Sequence, residues 1–224
     1  MRSTKQGSSL RPVSRPENIA IVGMPGNGKS YAARAWLRAE PRLIYVDPTD
    51  SARGVGGTGD NEDWTHVARR VETVLAIMRT RSRFRVSFGV GRMSEAGRRA
   101  AIDAILNEAL DHPPPRAWNT IALDEMKVIA PNREDLPALT QALVLGRHRS
   151  VRVVMASQRM VHMDPDWRAL CEDVAVFCQY EQIDMDRLDK IRKGLGRMAA
   201  ELEPHMYYRW HLGKLEGPVG PVKR

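Results

Sequence analysis

Ile19-Ala-Ile-Val-Gly-Met-Pro-Gly-Asn-Gly-Lys-Ser30 opens as a short apolar strand and runs into the pattern G-x-x-x-x-G-K-S. That pattern is a P-loop, and its spelling follows from what phosphates require. Glycines at 23, 26 and 28 permit positive backbone φ and a close approach to oxygen atoms. The amides of Gly23, Met24, Pro25-Gly26, Asn27 and Gly28, with those of Lys29, Ser30 and Tyr31 opening the next helix, form an electropositive cradle, except at Pro25, which has no N–H. In such a cradle Lys29 reaches the β- and γ-phosphates and the Ser30 hydroxyl ligates Mg²⁺. The flanks agree with the motif. Residues 18–22 are strand-like, residues 30–39 are helix-like, and Pro41 stops the helix. ATP with Mg²⁺ is therefore the expected ligand.

Working outward, the remaining chain alternates strand and helix patterns. Strands are expected at 42–47 (RLIYVD), 84–90, 119–124 (NTIALD), 151–156, 173–179 and 207–212. Trp64, Val67, Val71, Val74, Leu75 and Met78 recur at helical spacing and read as one core face. Ser94 is placed to cap a helix whose apolar face holds Ile102, Ile105, Leu106 and Ala109. Leu136, Leu139 and Leu143 mark another helix, with Gly146 as its terminator. A short charged helix is expected around 186–193, and residues 51–61 and 125–131 read as loops. Alternation of this kind predicts an α/β P-loop NTPase with a central, mostly parallel sheet flanked by helices. The expected divisions are a basic N-terminal arm at 1–16, an ATPase domain at 17–212 and a Gly/Pro-rich C-terminal tail at 213–224.

Composition narrows the function. The 224 residues are 42% hydrophobic and 28% charged, which is ordinary for a water-soluble domain. No apolar run approaches the roughly 20 residues that a membrane helix needs, so the chain is not expected to be transmembrane, and the basic N-terminus lacks the apolar core of a secretory signal. Cys171 and Cys178, seven positions apart, fit neither a zinc site nor a disulfide framework and suit a reducing compartment. His148, His162, His205 and His211 have no metal-ligand spacing and read as surface or core residues. A net charge of +8 points to a polyanionic partner. Arg2, Lys5, Arg11 and Arg15 fall in the arm. Arg79, Arg81, Arg83 and Arg85 alternate and would share one face of an extended strand, either as a nucleic-acid contact or as a solvated edge.

Three further features fall at strand ends. The apolar run Ile121-Ala-Leu closes on Asp124-Glu125, which suits Asp124 as the second Mg²⁺ contact and Glu125 as the base that activates water. A base beside the metal carboxylate favours hydrolysis over phosphoryl transfer to a small molecule. The strand Val151-Arg-Val-Val-Met-Ala-Ser closes on Gln158, whose amide reaches the γ-phosphate or attacking water if this strand lies beside the P-loop strand. Arg147 and Arg149 stand in the turn before it, at the opposite end of the sheet from the chain's own nucleotide. An arginine there suits a neighbouring subunit's site, as an arginine finger in trans, or is a basic surface turn.

The order P-loop, Asp-Glu strand and Gly146-Arg-His-Arg-Ser-Val-Arg-Val-Val-Met-Ala-Ser-Gln-Arg159 resembles the FtsK–HerA group of ATPases, of the additional-strand, catalytic-glutamate type. Within it, a single small domain is most similar to the genome-packaging ATPases of tailless, membrane-containing icosahedral viruses. The resemblance spans residues 17–212. It implies a homohexameric ring that threads double-stranded DNA with ATP hydrolysis, in the host cytoplasm and associated with virions, partnered by a vertex or portal-type membrane protein. It assigns Lys29 and Ser30 to phosphate and Mg²⁺, Asp124 to Mg²⁺, Glu125 to water, Gln158 to the sensor and Arg147 to the family's arginine turn, with Arg149 a rival. Met160 and Ser150 depart from residues common in the family, Pro and Gly, and loosen the subfamily. The alternatives are a filamentous-phage assembly or conjugative coupling motor, a small-molecule kinase, and a nucleotide-dependent switch.

Overall fold

The computed structural model describes residues 16–50, 64–131 and 135–220. Residues 1–15 of the arm and the 51–61 loop lie outside the described residues. Nine strands form one sheet: β1 (Ile19–Val22), β2 (Arg42–Asp47), β3 (His66–Ala68), β4 (Phe84–Gly89), β5 (Asn119–Leu123), β6 (Val151–Ser157), β7 (Asp173–Phe177), β8 (Tyr207–His211) and β9 (Lys214–Val219). Their order across the sheet is β3-β4-β2-β5-β6-β1-β7-β8-β9. All pairings from β3 to β7 are parallel, and β8 and β9 add antiparallel to that edge.

Every residue of β1, β2, β5, β6 and β7 is buried, as a parallel sheet covered on both faces requires. The two-residue alternation of side chains sorts them into two cores. Ala20 and Val22 face the larger core, with Ile102, Ile105, Leu139 and Leu143. Ile19 and Ile21 face the other, with Ala32, Ala33 and Leu37. Helix α1 (Lys29–Leu37) covers the second face, while α2 (Val71–Thr80), α3 (Glu95–Asp111) and α5 (Pro137–Leu145) cover the first. Ser94 caps α3 as expected, its Oγ accepting from the Gly97 amide. No helix among the described residues is long and apolar enough to cross a membrane.

Several expectations are corrected. Trp64 and Val67 do not belong to α2. Val67 lies on the edge strand β3, and both side chains join the α1-side core, whereas Val74 and Met78 join the other. Helical spacing had merged residues from opposite sides of the sheet. The arginine run shares no strand face. Arg79 ends α2 and pairs with Glu108, Arg81 and Arg83 lie in the connecting turn, and only Arg85 is on β4. Residues 126–129 form a helical turn, α4 (Met126–Ile129), rather than loop. After a short α6 (Pro165–Ala169), the charged helix begins earlier than expected, as α7 (Gln182–Asp189), and α8 (Leu195–Ala200) follows it. Much of the supposed tail is β9, paired with β8.

Gly146 does end α5, but in right-handed conformation with φ −55° rather than as a left-handed cap. Its glycine identity comes from packing. A Cβ there would sit 2.3 Å from the Ala142 carbonyl oxygen and 2.6 Å from that of Val151.

Candidate nucleotide site

The P-loop leaves the carboxyl end of β1, where ligands bind in open α/β sheets. Its first residues are pinned to both flanking strands: the Gly23 amide donates to the Ser157 carbonyl at 3.2 Å and the Met24 amide to the Cys178 carbonyl at 2.9 Å. Gly28 precedes α1 with φ 89° and ψ 8°, a left-handed turn that glycine adopts without steric cost. The loop therefore closes over the N-terminus of α1, whose amides face the expected phosphate position.

Strand β6 lies between β1 and β5. This is the extra strand between the P-loop strand and the Asp124 strand, and it is the condition on which Gln158 depended. In the β1–β6 register Val22 is opposite Ser157, so Gln158 emerges next to Gly23. Asp124 and Glu125 follow β5, one strand further on.

Lys29 is buried, and its Nζ donates to the Met24 carbonyl across the loop at 3.0 Å. Burial pushes its pKa below the ordinary lysine value, opposed by the charges of Glu125 and Asp124. Ser30 Oγ is 3.5 Å from Asp124 Oδ1. Two ligands in adjacent positions of an octahedral Mg²⁺ shell are about 2.9 Å apart, so these hard oxygens fit a shared Mg²⁺ with a small adjustment. No group of three or more His, Cys, Asp or Glu side chains that could cage a metal occurs among the described residues.

Glu125 takes a left-handed backbone, φ 60° and ψ 75°, which costs about 1–3 kcal/mol in a non-glycine residue and concentrates at functional sites. Burial raises its pKa above the ordinary carboxylate range. Hydrogen bonds from Gln158, backbone and side chain, and the Lys29 charge oppose the rise. The structure thus brings Glu125, Gln158, Lys29, Ser30 and Asp124 together. Arg147 is not among them. It precedes β6 at the amino end of the sheet, paired with Glu172, which also accepts from the Asn18 amide. The seven residues of β6 separate it from Gln158, about 23 Å at strand rise. Arg149 is exposed in the same turn and has no ion-pair partner among the described residues.

Sequence reasoning missed four participants. Tyr45 of β2 donates from its hydroxyl to Asp124 Oδ2 at 2.6 Å. Burial and the neighbouring Asp124 raise its pKa well above the ordinary phenol value, so it stays a donor. Fully buried Gln179 donates from Nε2 to the Gln158 carbonyl at 3.0 Å. Buried Asp184 accepts from Arg159 Nε at 2.8 Å and from the Val161 amide at 2.9 Å, bracing the segment after Gln158. His205, read above as a surface or core residue, lies against the P-loop: a Cβ on Gly28 would be 2.8 Å from its Nδ1. Only Tyr45 carried a sequence signal, a hydroxyl inside an otherwise apolar strand. Cys171 and Cys178 have thiol pKa values raised by burial, which suppresses thiolate nucleophilicity.

The fold is that of a P-loop NTPase, with a mostly parallel central sheet flanked by helices. No protein-family model matches the chain, and no curated protein sequence does either. Among solved structures, the genome-packaging NTPase B204 of Sulfolobus turreted icosahedral virus 2, in complex with AMPPCP, is similar at 15% identity and TM-score 0.71, over 92% of this chain and 100% of that one. The bacterial conjugative coupling protein TrwBdeltaN70 is similar at 12% identity and TM-score 0.67, over 100% and 90%. VirB4 of Thermoanaerobacter pseudethanolicus is similar at 9% identity and TM-score 0.59, over 88% and 87%. What they share with this chain is the fold, and that fold fits the family that the motifs resemble.

Proposed function

We propose that the chain is a Mg²⁺-dependent ATPase that moves double-stranded DNA, assembled as a ring, and that it packages a viral genome. The observation that carries the hydrolytic reading is Glu125, ionisable and half-buried, hydrogen-bonded to Gln158 beside the Lys29 P-loop. In this mechanism the P-loop amides and Lys29 hold the β- and γ-phosphates and offset charge as the γ-phosphoryl transfers. Gln158 orients a water, and Glu125 takes its proton as the oxygen attacks phosphorus, releasing ADP and phosphate. Bound through Ser30 and Asp124, Mg²⁺ would neutralise phosphate charge.

Arg147 completes a neighbouring subunit's site in this reading, since its own site lies at the far end of the sheet. The similarity to B204 supports packaging, with the protein in the host cytoplasm and at a membrane-containing vertex. The likeness to TrwBdeltaN70 over nearly its whole length supports a second reading, a conjugative coupling motor. Both are DNA motors. The test is ATP turnover with and without random-sequence duplex DNA, alongside particle sizing. Turnover that rises with duplex in a ring-sized particle is the expected result. ATP binding with hydrolysis near zero would indicate a switch, and turnover indifferent to DNA would remove the motor assignment.

A further inference from the structure

Between α7 and α8 the chain reads Lys190-Ile-Arg-Lys-Gly194. Lys190, Arg192 and Lys193 are exposed, and none has an ion-pair partner among the described residues. The nearby acids are turned elsewhere. Asp184 is buried on Arg159, Asp186 accepts from Gln182 Nε2 at 2.7 Å, and Asp189 accepts from the Gly196 amide at 2.7 Å. Glu201 pairs with Arg197. Three cations in four residues are thus left facing water.

The loop is also firmly built. Asp189 ties its start to α8, and α8 crosses α7 so closely that a Cβ on Gly196 would lie 2.5 Å from the Met185 carbonyl oxygen. Leu188 and Leu195, one on each side, are fully buried. A fixed loop loses little conformational freedom when it binds, so its charge is available for a ligand.

Its position joins it to the nucleotide site. Asp184 lies on α7 and holds Arg159, the residue after Gln158, and the amide of Val161. One buried carboxylate thus ties the segment after Gln158 to the helix that leads into the loop. A short row of cations is complementary to a polyanion whose bases go unread, as a nucleic-acid phosphate backbone is.

We propose that Lys190, Arg192 and Lys193 form a contact of this protein with the phosphate backbone of duplex DNA. The proposal rests on the DNA-motor reading above and adds the gripping surface. The test neutralises the loop as Lys190→Gln/Arg192→Gln/Lys193→Gln and measures random-sequence duplex binding across a salt series, with ATP turnover in the presence and absence of duplex. The expected result is a salt-dependence slope shallower by about two to three, at roughly 0.9 per phosphate contact, reduced stimulation by DNA, and unchanged turnover without DNA. A control set, Arg69→Gln/Arg70→Gln/Arg92→Gln, neutralises exposed cations near the other edge of the sheet and should leave the slope in place. A wild-type slope in the loop variant, or a slope lost only in the control set, overturns the assignment while the motor reading stands. Absence of duplex binding by the wild-type protein overturns both.

Discussion

The Tyr45 hydroxyl donates to Oδ2 of Asp124 at 2.6 Å, leaving Oδ1 toward Ser30. One carboxylate oxygen is thus fixed by a neighbouring strand while the other faces the expected Mg²⁺ position. Outer partners of metal carboxylates commonly change metal affinity by about 10–100-fold when removed. Tyr45→Phe should therefore raise the Mg²⁺ concentration needed for half-maximal turnover by that order, with ATP turnover at saturating Mg²⁺ far less affected. Titration of activity with Mg²⁺ checks this. An unchanged midpoint would mean that Tyr45 only fills the core.

Glu125 and Lys29 set the pH dependence in opposite directions. The base must be ionised, and burial raises the Glu125 pKa, so activity should fall with acidification at a pH above the ordinary carboxylate value of about 4.3. Lys29 must be protonated, and burial lowers its pKa, so the alkaline limb should begin below the ordinary lysine value of about 10.4. Glu125→Gln should cut turnover by about 10²–10⁴-fold while retaining ATP binding, and its residual activity should lack the acid limb. Turnover near wild type would remove Glu125 from the role of base.

The central strands were legible because each is a short, mostly apolar run, and Asp124, Glu125 and Gln158 stand out as the polar residues that follow β5 and β6, whereas the edge strands β3 and β9 carry no such run. Strand order was not legible from those runs. Nothing local to RLIYVD says that β2 lies beside β5, so Tyr45 could not be matched to Asp124. His205 and Gln179 reach the site through the β7–β8 region, far from the P-loop in sequence. The helix α2 boundary failed because spacing alone does not distinguish the two faces of a sheet, to which Trp64 and Val74 separately belong.

Gly146→Ala tests the tight turn that precedes β6. The added methyl would meet two backbone oxygens at 2.3 and 2.6 Å, neither on a flexible side chain. Overpacking of this kind costs about 1–3 kcal/mol, a fall in Tm of about 2–4 °C for each kcal/mol in a domain of this size. Thermal unfolding measures it. A Tm equal to wild type would show that α5 and β6 can separate at this point without cost.

Arg159→Lys probes the brace between the Gln158 segment and α7. Lysine keeps the charge beside buried Asp184 but not the planar guanidinium that sets the bond direction. The variant should bind ATP and duplex DNA as the wild type does, yet show less stimulation of turnover by DNA. A purely structural role would lower Tm and leave the stimulation ratio intact, so the ratio and Tm together decide the outcome.

The shared-site reading makes a prediction that no single-subunit mechanism shares. Arg147 is held by Glu172 beyond the amino end of β1, while Lys29 lies past the carboxyl end of the same strand. One molecule therefore cannot bring both to one phosphate, but adjacent molecules in a ring can. Arg147→Ala and Lys29→Ala chains should each be inactive alone. Mixed at concentrations where rings exchange subunits, they create some sites with an intact P-loop facing an intact Arg147, and partial turnover should return. Mixing Arg147→Ala with a doubly substituted Arg147→Ala/Lys29→Ala chain should restore none. If the first mixture stays as inactive as its components in rings shown to be mixed, Arg147 is not the trans residue, and the same pair of mixtures with Arg149→Ala decides whether its neighbour is.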